Sequence, residues 1–405
     1  MKPLLVFYSD CPVFGGADML VAHLLADPGI RSRFETAILH RSHPAFDEGA
    51  ARFLPPGTRR IGVSLPDRVQ SVQALEARWG RGARLSAAKI LWRLFDALLF
   101  PYAVLRLWAV LRALRPAVVH VNDGGYPGAL GCRAAVLAAR LAGARVLLAV
   151  HNQTRPLSLP ADLLDLLVDP FVGRAADLLV TASKTAQDSL AARLPRAKMR
   201  IVPDGVPVPR VARAAASVRA ELGAAPGRTL FVTTAFFEPR KGHLVLVEAA
   251  RRLPPGSARF ALIGSGPEEE AVRAAVRAAG LEESFVFLGY RPDHGELLAA
   301  ADALVLPSVH SEDMPLVLLD AMALGKPVVS TRLAGIPAAV EDGVTGLLAE
   351  PGDPAGLAEA LRRLCADAAL RARLGEAGRR RFAERFEVSG MARAYAALYA
   401  ALLGD

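Results

Sequence analysis

The sequence alternates short β-branched runs with helical segments rich in alanine and leucine along most of its length. The runs of the first half include PLLVFY, AVVHVN, ARVLLAVHN, DLLVTAS and MRIVP, and those of the second half include TLFVTTA, ARFALIG, SFVFLG, ALVLP and PVVST. Strands that alternate with helices favour βαβ units, in which parallel strands form a sheet with helices on both faces. The pattern therefore predicts an α/β protein.

The strand-like runs form two sets, separated by PDGVPVPR at residues 203–210, where three prolines and one glycine are typical of a linker. A chain of 405 residues also suits two cores better than one. We predict two doubly wound Rossmann-like domains, residues 1–202 and 203–385, and a C-terminal helix in 386–405 that packs back on the first domain. Because ligands of open parallel sheets bind beyond the carboxyl ends of the strands, we also predict a cleft between the domains.

Composition and charge exclude several classes of protein. The net charge of +9 favours anionic partners, but the basic residues are scattered and lack an aromatic stacking motif, which argues against nucleic acid. Three unpatterned cysteines, Cys11, Cys132 and Cys365, argue against a disulfide framework or a zinc site and suit a reducing compartment. The first apolar run is too short for a signal peptide and no stretch suits a membrane span, so we expect a cytoplasmic protein.

One segment, residues 78–115, departs from this pattern. It contains eight Lys or Arg residues, a single acid at Asp96, and all three tryptophans. One interpretation is a basic amphipathic pair of helices that lies on an anionic membrane surface, which would make the protein peripheral on the inner face of the membrane. The other is two ordinary domain helices whose arginine stems cover the core, and the usual amphipathicity of surface helices favours it.

The stretch HSEDMPLVLLDAMALGKPVVST, residues 310–331, places Glu312 and Asp320 on either side of an apolar run. The preceding strand-like run ends near Pro307, and Pro315 is a good first residue for a helix. Glu312 is then predicted in the loop before that helix, and Asp320 about a turn and a half inside it. Two acids so placed can line one pocket, in which the helix amides attract a phosphate and a carboxylate accepts sugar hydroxyls.

This stretch resembles the E-x7-E signature of the retaining glycosyltransferases of family 4, which have the GT-B fold. The second acid is here Asp320, one methylene shorter than glutamate. The continuation LAGIPAAVEDGVTGLLAEPGD and the upstream segments IVPDGV, FALIGSGPEE and FVFLGY are also similar, so the resemblance is strong over residues 200–365 and weak in the first half. It implies transfer of a sugar from a UDP- or GDP-sugar, with retention of anomeric configuration, to an acceptor that the sequence does not identify.

The resemblance also implies residues for the donor site. Glu312 would contact the sugar and Asp320 the ribose, and the helix start between them would complete the site with Met314, Pro315 and Leu316. Gly264 and Gly266 of GSGP would form a turn near the nucleotide. The reaction would need no metal or other cofactor, and the chain contains no D-x-D pair to hold a divalent ion.

The segment FFEPRKGH, residues 236–243, would supply the positive charge. Lys241 precedes a glycine, as in the family, and with Arg240 it would stabilise the leaving diphosphate. The family usually has an arginine five residues before the lysine, where this chain has Phe236. Either Arg240 substitutes for that arginine, or stabilisation of the diphosphate is weakened.

The first domain offers weaker signals. In YSDCPVFGGADML the resemblance places Gly16 at the cleft, where a glycine lets the backbone approach a ligand. It places His151 of AVHNQT beside the transferred sugar, as a catalytic residue together with Lys241 and Glu312. His120 and Asn122 of VVHVND, in the preceding strand, are predicted on the acceptor side. Histidines at strand ends often have only a structural, hydrogen-bonded role, and that alternative stays open for both His151 and His120.

Three other functions fit parts of the sequence. A GT-B protein that binds nucleotides but has lost catalysis is supported by Phe236 and Asp320. A nucleotide-sugar epimerase or a phosphorylase would share the fold, but the pattern after Glu312 argues against both. A dinucleotide oxidoreductase would need a third glycine where the chain has Glu269.

Overall fold

The computed structural model describes residues 2–65, 84–157 and 163–404, and it describes their side chains except those of residues 84–98 and 163. The chain divides into two compact units. The first contains Met1–Ala182, Ala186–Val202 and Ala392–Asp405, and the second contains Ser183–Thr185 and Pro203–Met391. Among the helices of the described ranges, none combines the length and apolar character that crossing a membrane requires.

The first unit is built on a sheet of seven parallel strands. In chain order these are β1 Leu4–Ser9, β2 Glu35–Arg41, β3 Arg59–Val63, β4 Val118–Asp123, β5 Arg145–Val150, β6 Leu178–Thr181 and β7 Met199–Ile201. Their order across the sheet is β3-β2-β1-β4-β5-β6-β7, so the direction of winding changes between β1 and β4. Helices of the same part of the chain are α1 Gly16–Ala26, α2 Pro28–Arg33, α3 Pro44–Phe53, α4 Arg84–Leu114, α5 Leu130–Leu141, α6 Leu163–Ala175 and α7 Lys184–Arg193.

The register of this sheet brings polar strand ends together. Ser9, the last residue of β1, pairs with Asn122 of β4, and Asp123 pairs with Val150 at the end of β5. Every residue of β4 is buried, as expected for a central strand that helices cover on both faces. The carboxyl ends of β1, β4 and β5 therefore form one polar edge above an apolar sheet.

The segment predicted as two helices forms one. Helix α4 runs from Arg84 to Leu114 with Pro101 inside it, while residues 78–83 lie outside the described residues. The proline removes one backbone hydrogen bond without ending the helix, because side chains on both sides of it pack into the core: Phe100, Ala103, Leu107 and Leu111. Tyr102 and Leu105 are exposed on the opposite side, and contact with a membrane surface stays a prediction.

The second unit has a sheet of six parallel strands. These are β8 Thr229–Thr234, β9 Ala258–Ile263, β10 Phe285–Phe287, β11 Ala303–Val305, β12 Val328–Thr331 and β13 Gly346–Ala349, in the order β10-β9-β8-β11-β12-β13. The winding changes between β8 and β11. These strands are hydrogen-bonded neighbours although 68 residues lie between the end of β8 and the start of β11. Its helices are α8 Ala215–Glu221, α9 His243–Ala250, α10 Glu269–Ala278, α11 His294–Ala300, α12 Leu316–Ala323, α13 Ile336–Ala339, α14 Pro354–Ala366 and α15 Ala368–Arg385. The prediction of two doubly wound α/β domains is confirmed.

The last helix, α16 Val388–Leu403, contributes its residues from Ala392 onward to the first unit. There the hydroxyl of Tyr399 forms a hydrogen bond of 2.6 Å with Nδ1 of His120, and the ring of Tyr395 stacks on the same imidazole at 5.3 Å. His120 lies inside β4 rather than at its end, which corrects the expected position, because the strand continues to Asp123. Burial lowers the pKa of His120 to about 3, so the ring stays neutral as part of the packed core.

We expect Tyr399→Phe to lower the free energy of unfolding of the first unit by about 1–3 kcal/mol, because the substitution leaves a buried imidazole nitrogen without its partner. Tryptophan fluorescence during urea unfolding reports on this unit, since all three tryptophans precede residue 183. Tyr102→Phe, on an exposed side chain, is the control and should leave the unfolding midpoint unchanged. Equal midpoints for the two variants would show that the hydrogen bond to His120 does not stabilise the unit.

Candidate functional site

In the second unit, a short turn after β8 carries the predicted cations. Pro239–Lys241 form one turn of 3-10 helix, and Gly242 follows with φ of +72°, a left-handed conformation that favours glycine. A Cβ atom at residue 242 would clash with the carbonyl oxygen of Pro307, just beyond β11. Glycine therefore lets this turn pack against the end of the neighbouring strand, and the amide of Val309 donates to the carbonyl of Arg240 at 2.8 Å.

Both cations contact the predicted acid. Lys241 Nζ and Glu312 Oε1 form an ion pair, and Arg240 Nη1 lies 3.1 Å from the same oxygen. Ser308 Oγ also donates to it at 3.1 Å, which the sequence did not indicate. Glu312 is only 5% exposed. Within the described part of the chain, no donor reaches Oε2, so this oxygen can accept a hydrogen bond from a ligand.

The charges of this group balance before any ligand binds. Burial lowers the pKa of Lys241, and the nearby Arg240 lowers it further, while Glu312 acts in the opposite direction. Arg240 also contacts Glu238, with Nε 2.7 Å from Oε2. Two cations thus lie between two carboxylates. An anionic ligand such as a diphosphate would replace those carboxylates as the partner of the cations.

The GSGP turn packs on the protein's own backbone. Gly264 and Gly266 have φ of +137° and +156°, and side chains there would clash with the main chain of Ala235 and Phe237. Phe237 is buried and stacks on His243 at 4.3 Å, whereas Phe236 is 52% exposed. The glycines therefore support the loop that leads to Arg240 and Lys241, and their contact with a nucleotide stays a prediction.

Helix α12 begins where the sequence predicted it. Pro315 is its N-cap, Leu316 its first residue, and Met314 is buried before it. Asp320 lies one turn inside, with its side chain 16% exposed rather than turned fully to solvent. Its carboxylate oxygen Oδ2 is 3.5 Å from Nε2 of His294, the first residue of α11, a partner that the sequence gave no reason to expect. The nearby carboxylate of Asp320 raises the pKa of His294.

In the first unit, the polar edge of the sheet holds Asp18. Its carboxylate accepts hydrogen bonds from Ser9 Oγ at 2.5 Å, Gly15 N at 3.0 Å and Asn122 Nδ2 at 3.3 Å. Burial raises the pKa of Asp18. Gly16, predicted to face the ligand, is the first residue of α1 beside this carboxylate. Asn122 is buried and holds the acid in place.

A second acid, Asp123, ends β4, and sequence reasoning did not single it out. It is 1% exposed and accepts from Gly125 N at 3.1 Å, but its Oδ2 has no hydrogen-bond partner among the described residues. Burial raises the pKa of Asp123 to about 7. His151 follows β5, donates its amide to the Asp123 carbonyl at 3.0 Å, and its charge lowers the pKa of both Asp18 and Asp123. The structure thus brings His151 and Asn122 to one edge.

The acids of this edge differ in their ion-pair partners. Asp10, next to it, forms an ion pair with Arg41 at 2.5 Å. Over residues 2–65, 84–157 and 163–404, no Lys or Arg lies within ion-pair distance of Asp18 or Asp123. In the same ranges, no cluster of three or more His, Cys, Asp or Glu side chains has the geometry to hold a metal ion.

Two family models match the chain. A model described as "Glycosyl transferases group 1" matches residues 227–367, and one described as "Glycosyltransferase Family 4" matches residues 64–210. The first covers Arg240, Lys241, Glu312 and Asp320, and the second covers His120, Asn122 and His151.

Three named proteins illustrate the similarity of this chain to others in sequence. A 2-deoxystreptamine N-acetyl-D-glucosaminyltransferase of Streptomyces fradiae is 36% identical over 286 residues, which is 66% of this chain and 67% of that protein. A 2-deoxystreptamine glucosyltransferase of Streptomyces kanamyceticus is 32% identical over 73% of this chain and 80% of that protein. An N-acetyl-alpha-D-glucosaminyl L-malate synthase of Bacillus anthracis is 32% identical over 46% of this chain, which spans about half the length of that relative.

Solved structures share the fold across the whole chain. The Anabaena protein HepE in complex with UDP has a TM-score of 0.77 at 19% identity, with 99% of this chain and all of that chain covered. Sucrose-phosphate synthase from Thermosynechococcus elongatus has a TM-score of 0.74 at 20% identity, with both chains covered completely. With the two family models and the Streptomyces relatives, these likenesses show that the chain belongs to the family 4 glycosyltransferases and has the GT-B fold.

Proposed function

We propose that the protein transfers a hexosyl group from a UDP- or GDP-sugar to a hydroxyl of an acceptor bound by the first unit, with retention of anomeric configuration. The observation that carries this proposal is the convergence of Arg240 and Lys241 on Glu312 at the carboxyl edge of β8 and β11. Fixed cations at that place suit a leaving diphosphate, and a carboxylate beside them suits sugar hydroxyls. HepE, whose structures contain UDP, UDP and glucose, or UDP-glucose, supports a nucleotide sugar as donor.

In the proposed step, the bond between the sugar C1 and the diphosphate oxygen breaks as the acceptor oxygen bonds to C1 on the same face. The acceptor proton passes to the leaving phosphate oxygen. Arg240 and Lys241 stabilise the charge that develops on the diphosphate, so we propose that no metal is needed for this role. Glu312 orients the sugar through its hydroxyls and is not a nucleophile, in contrast to the second carboxylate of retaining glycosidases.

His151 and the first-unit acids would act on the acceptor. His151 lies at the end of β5, where its imidazole can polarise the attacking hydroxyl. Asn122 and Asp18 form a hydrogen-bonded pair beside it and would position the ligand indirectly. His120 is buried by α16, so we assign it a packing role rather than a contact with the acceptor.

We further propose that the acceptor carries amino groups. Oδ2 of Asp123 is an acceptor atom without a hydrogen-bond partner, and neither Asp123 nor Asp18 has a Lys or Arg partner among the described residues. A cationic group of a ligand would interact strongly with these acids in the low dielectric of a buried site. An ammonium group close to Asp123 would favour its ionised form. The two Streptomyces relatives are named for 2-deoxystreptamine, a cyclitol that carries two amines, which agrees with this charge.

A catalytically impaired nucleotide-binding protein is the second candidate. The exposed side chain of Phe236, in place of the family's arginine, favours it. It predicts nucleotide binding without sugar transfer across a broad panel of donors and acceptors, whereas the proposed transferase gives turnover with at least one UDP- or GDP-sugar.

The family's usual arginine is replaced here by Phe236. If Arg240 substitutes for it, a protein that lacks Arg240 should regain activity when an arginine is placed at position 236. We expect Arg240→Ala to lower kcat by about 10²–10³-fold, as loss of one donor to a developing charge does elsewhere. Adding Phe236→Arg to that variant should recover at least a tenth of the wild-type rate. The measurement is release of nucleoside diphosphate from the active donor, with the anomeric configuration of the product determined by NMR.

The exposed Arg277 provides the control, because Arg277→Ala removes a cation far along α10 and should leave kcat unchanged. Wild-type kcat in Arg240→Ala would contradict the role of Arg240. An inactive double variant that still binds the nucleotide would show that position 236 cannot supply the missing charge.

Charge on the acceptor can be tested with a matched pair of cyclitols. We expect kcat/KM for 2-deoxystreptamine to exceed that for myo-inositol, which lacks the amines, by about 10–100-fold, the effect of one charge-assisted hydrogen bond. Asp123→Asn keeps an oxygen for Gly125 N but removes the charge, so it should reduce this preference and leave the rate with myo-inositol unchanged. Equal use of both cyclitols by the wild-type enzyme would contradict an amino acceptor.

A further inference from the structure

His294 and Asp320 form a partly exposed pair. The side chains come from different helices, α11 and α12, and their facing atoms, Nε2 and Oδ2, are 3.5 Å apart. The histidine side chain is 40% exposed and the aspartate side chain 16%, so neither is enclosed in the core. Over the described residues, the carboxylate of Asp320 has no other hydrogen-bond or ion-pair partner.

The short side chain of Asp320 makes its orientation important. The family's signature has glutamate at this position, and this chain has the shorter aspartate. A shorter carboxylate reaches less far from the helix, so the position and rotamer of its two oxygens matter more for a ligand that must meet both. A hydrogen bond to Oδ2 fixes the orientation of the carboxylate, so that Oδ1 and the remaining lone pairs point in a defined direction.

We propose that His294 positions Asp320 to bind the ribose diol of the nucleotide. In the proposed complex, Nε2, now 3.5 Å from Oδ2, donates to it, and the carboxylate so oriented accepts hydrogen bonds from the 2′- and 3′-hydroxyls. This inference rests on the proposed function, because it takes the ligand of this site to be a nucleotide sugar. His294 is a positioning residue: it acts through Asp320 and not on the reacting atoms.

The raised pKa of His294 is consistent with this contact. Asp320 is the main cause, and the carboxylate of Asp293 contributes in the same direction, while burial opposes them. A protonated imidazole makes the hydrogen bond to Asp320 charge-assisted, which strengthens it. The nearby Arg291 and Arg213 are already held by Asp293 and Glu221, so they do not compete for Asp320.

The test compares a nucleotide that has the diol with one that lacks it. UDP and 2′,3′-dideoxyuridine 5′-diphosphate are titrated by calorimetry into the full-length wild-type protein and into His294→Ala. We expect His294→Ala to weaken UDP binding about tenfold, the size of one charge-assisted hydrogen bond, and to leave the affinity for the dideoxy nucleotide within twofold. If the wild-type protein selects GDP instead, the guanosine pair of nucleotides is used in the same way.

Two further variants separate positioning from packing. His294→Gln retains an N–H donor and should recover most of the lost affinity for the ribonucleotide. In an Asp320→Glu background, where the longer acid reaches further, His294→Ala should cost less than threefold. Thermal midpoints of all variants without nucleotide show whether the fold is intact.

The outcomes are distinguishable. Equal losses for the ribo- and dideoxynucleotides, or no loss for either, would overturn the role of His294 while leaving the proposed function in place. A wild-type protein that binds no nucleoside diphosphate would overturn the proposed function itself, and this inference with it.

Discussion

The contact of Lys241 and Arg240 with Glu312 joins the loops that follow β8 and β11, the two strands between which the sheet of the second unit changes its direction of winding. Those loops can meet because residue 242 is a glycine, with a left-handed backbone and no side chain to strike the carbonyl oxygen of Pro307. A hydrogen bond from Val309 N to the carbonyl of Arg240 fixes the same approach in the main chain. The cations and the acid are therefore held by backbone geometry as well as by their mutual attraction.

Such an arrangement is costly for stability. Removing an ammonium and a carboxylate from water carries a desolvation penalty that their attraction in a buried site offsets only in good geometry. Lys241 has a lowered pKa for this reason. If the site binds a diphosphate as proposed, cations that are already desolvated and oriented would help, because little reorganisation would then be needed when the ligand binds. In the first unit, Asp18 and Asp123 lack a Lys or Arg partner within the described ranges, and Oδ2 of Asp123 has no hydrogen-bond partner there. This is the feature on which the proposal of an amino acceptor rests.

Much of this arrangement follows from the sequence. The alternation of strand and helix patterns predicted both sheets, and Pro315 marked the start of α12 within one residue. Resemblance to a family signature singled out Lys241 and Glu312, which are 71 residues apart in the chain and in contact in the structure.

The sequence could not indicate contacts that depend on how helices pack. His294 meets Asp320 only because α11 and α12 are neighbours, and nothing in PDHGEL distinguishes that histidine from a surface residue. Strand ends were equally hard to place: β4 continues three residues past His120, which buries that histidine and brings Asp123 to the edge instead.

We propose that Arg240, Lys241 and Glu312 form a site for the diphosphate of a nucleotide sugar. The most direct measurement is the thermal stability of the wild-type protein and of Lys241→Ala with UDP, GDP and ADP. A nucleotide present at a hundred times its Kd adds ~2.7 kcal/mol to the free energy of unfolding, which is a readily measured increase in Tm. We expect such an increase with UDP or GDP and its loss in Lys241→Ala. No change in Tm with any nucleotide, or an equal increase in both proteins, would contradict it.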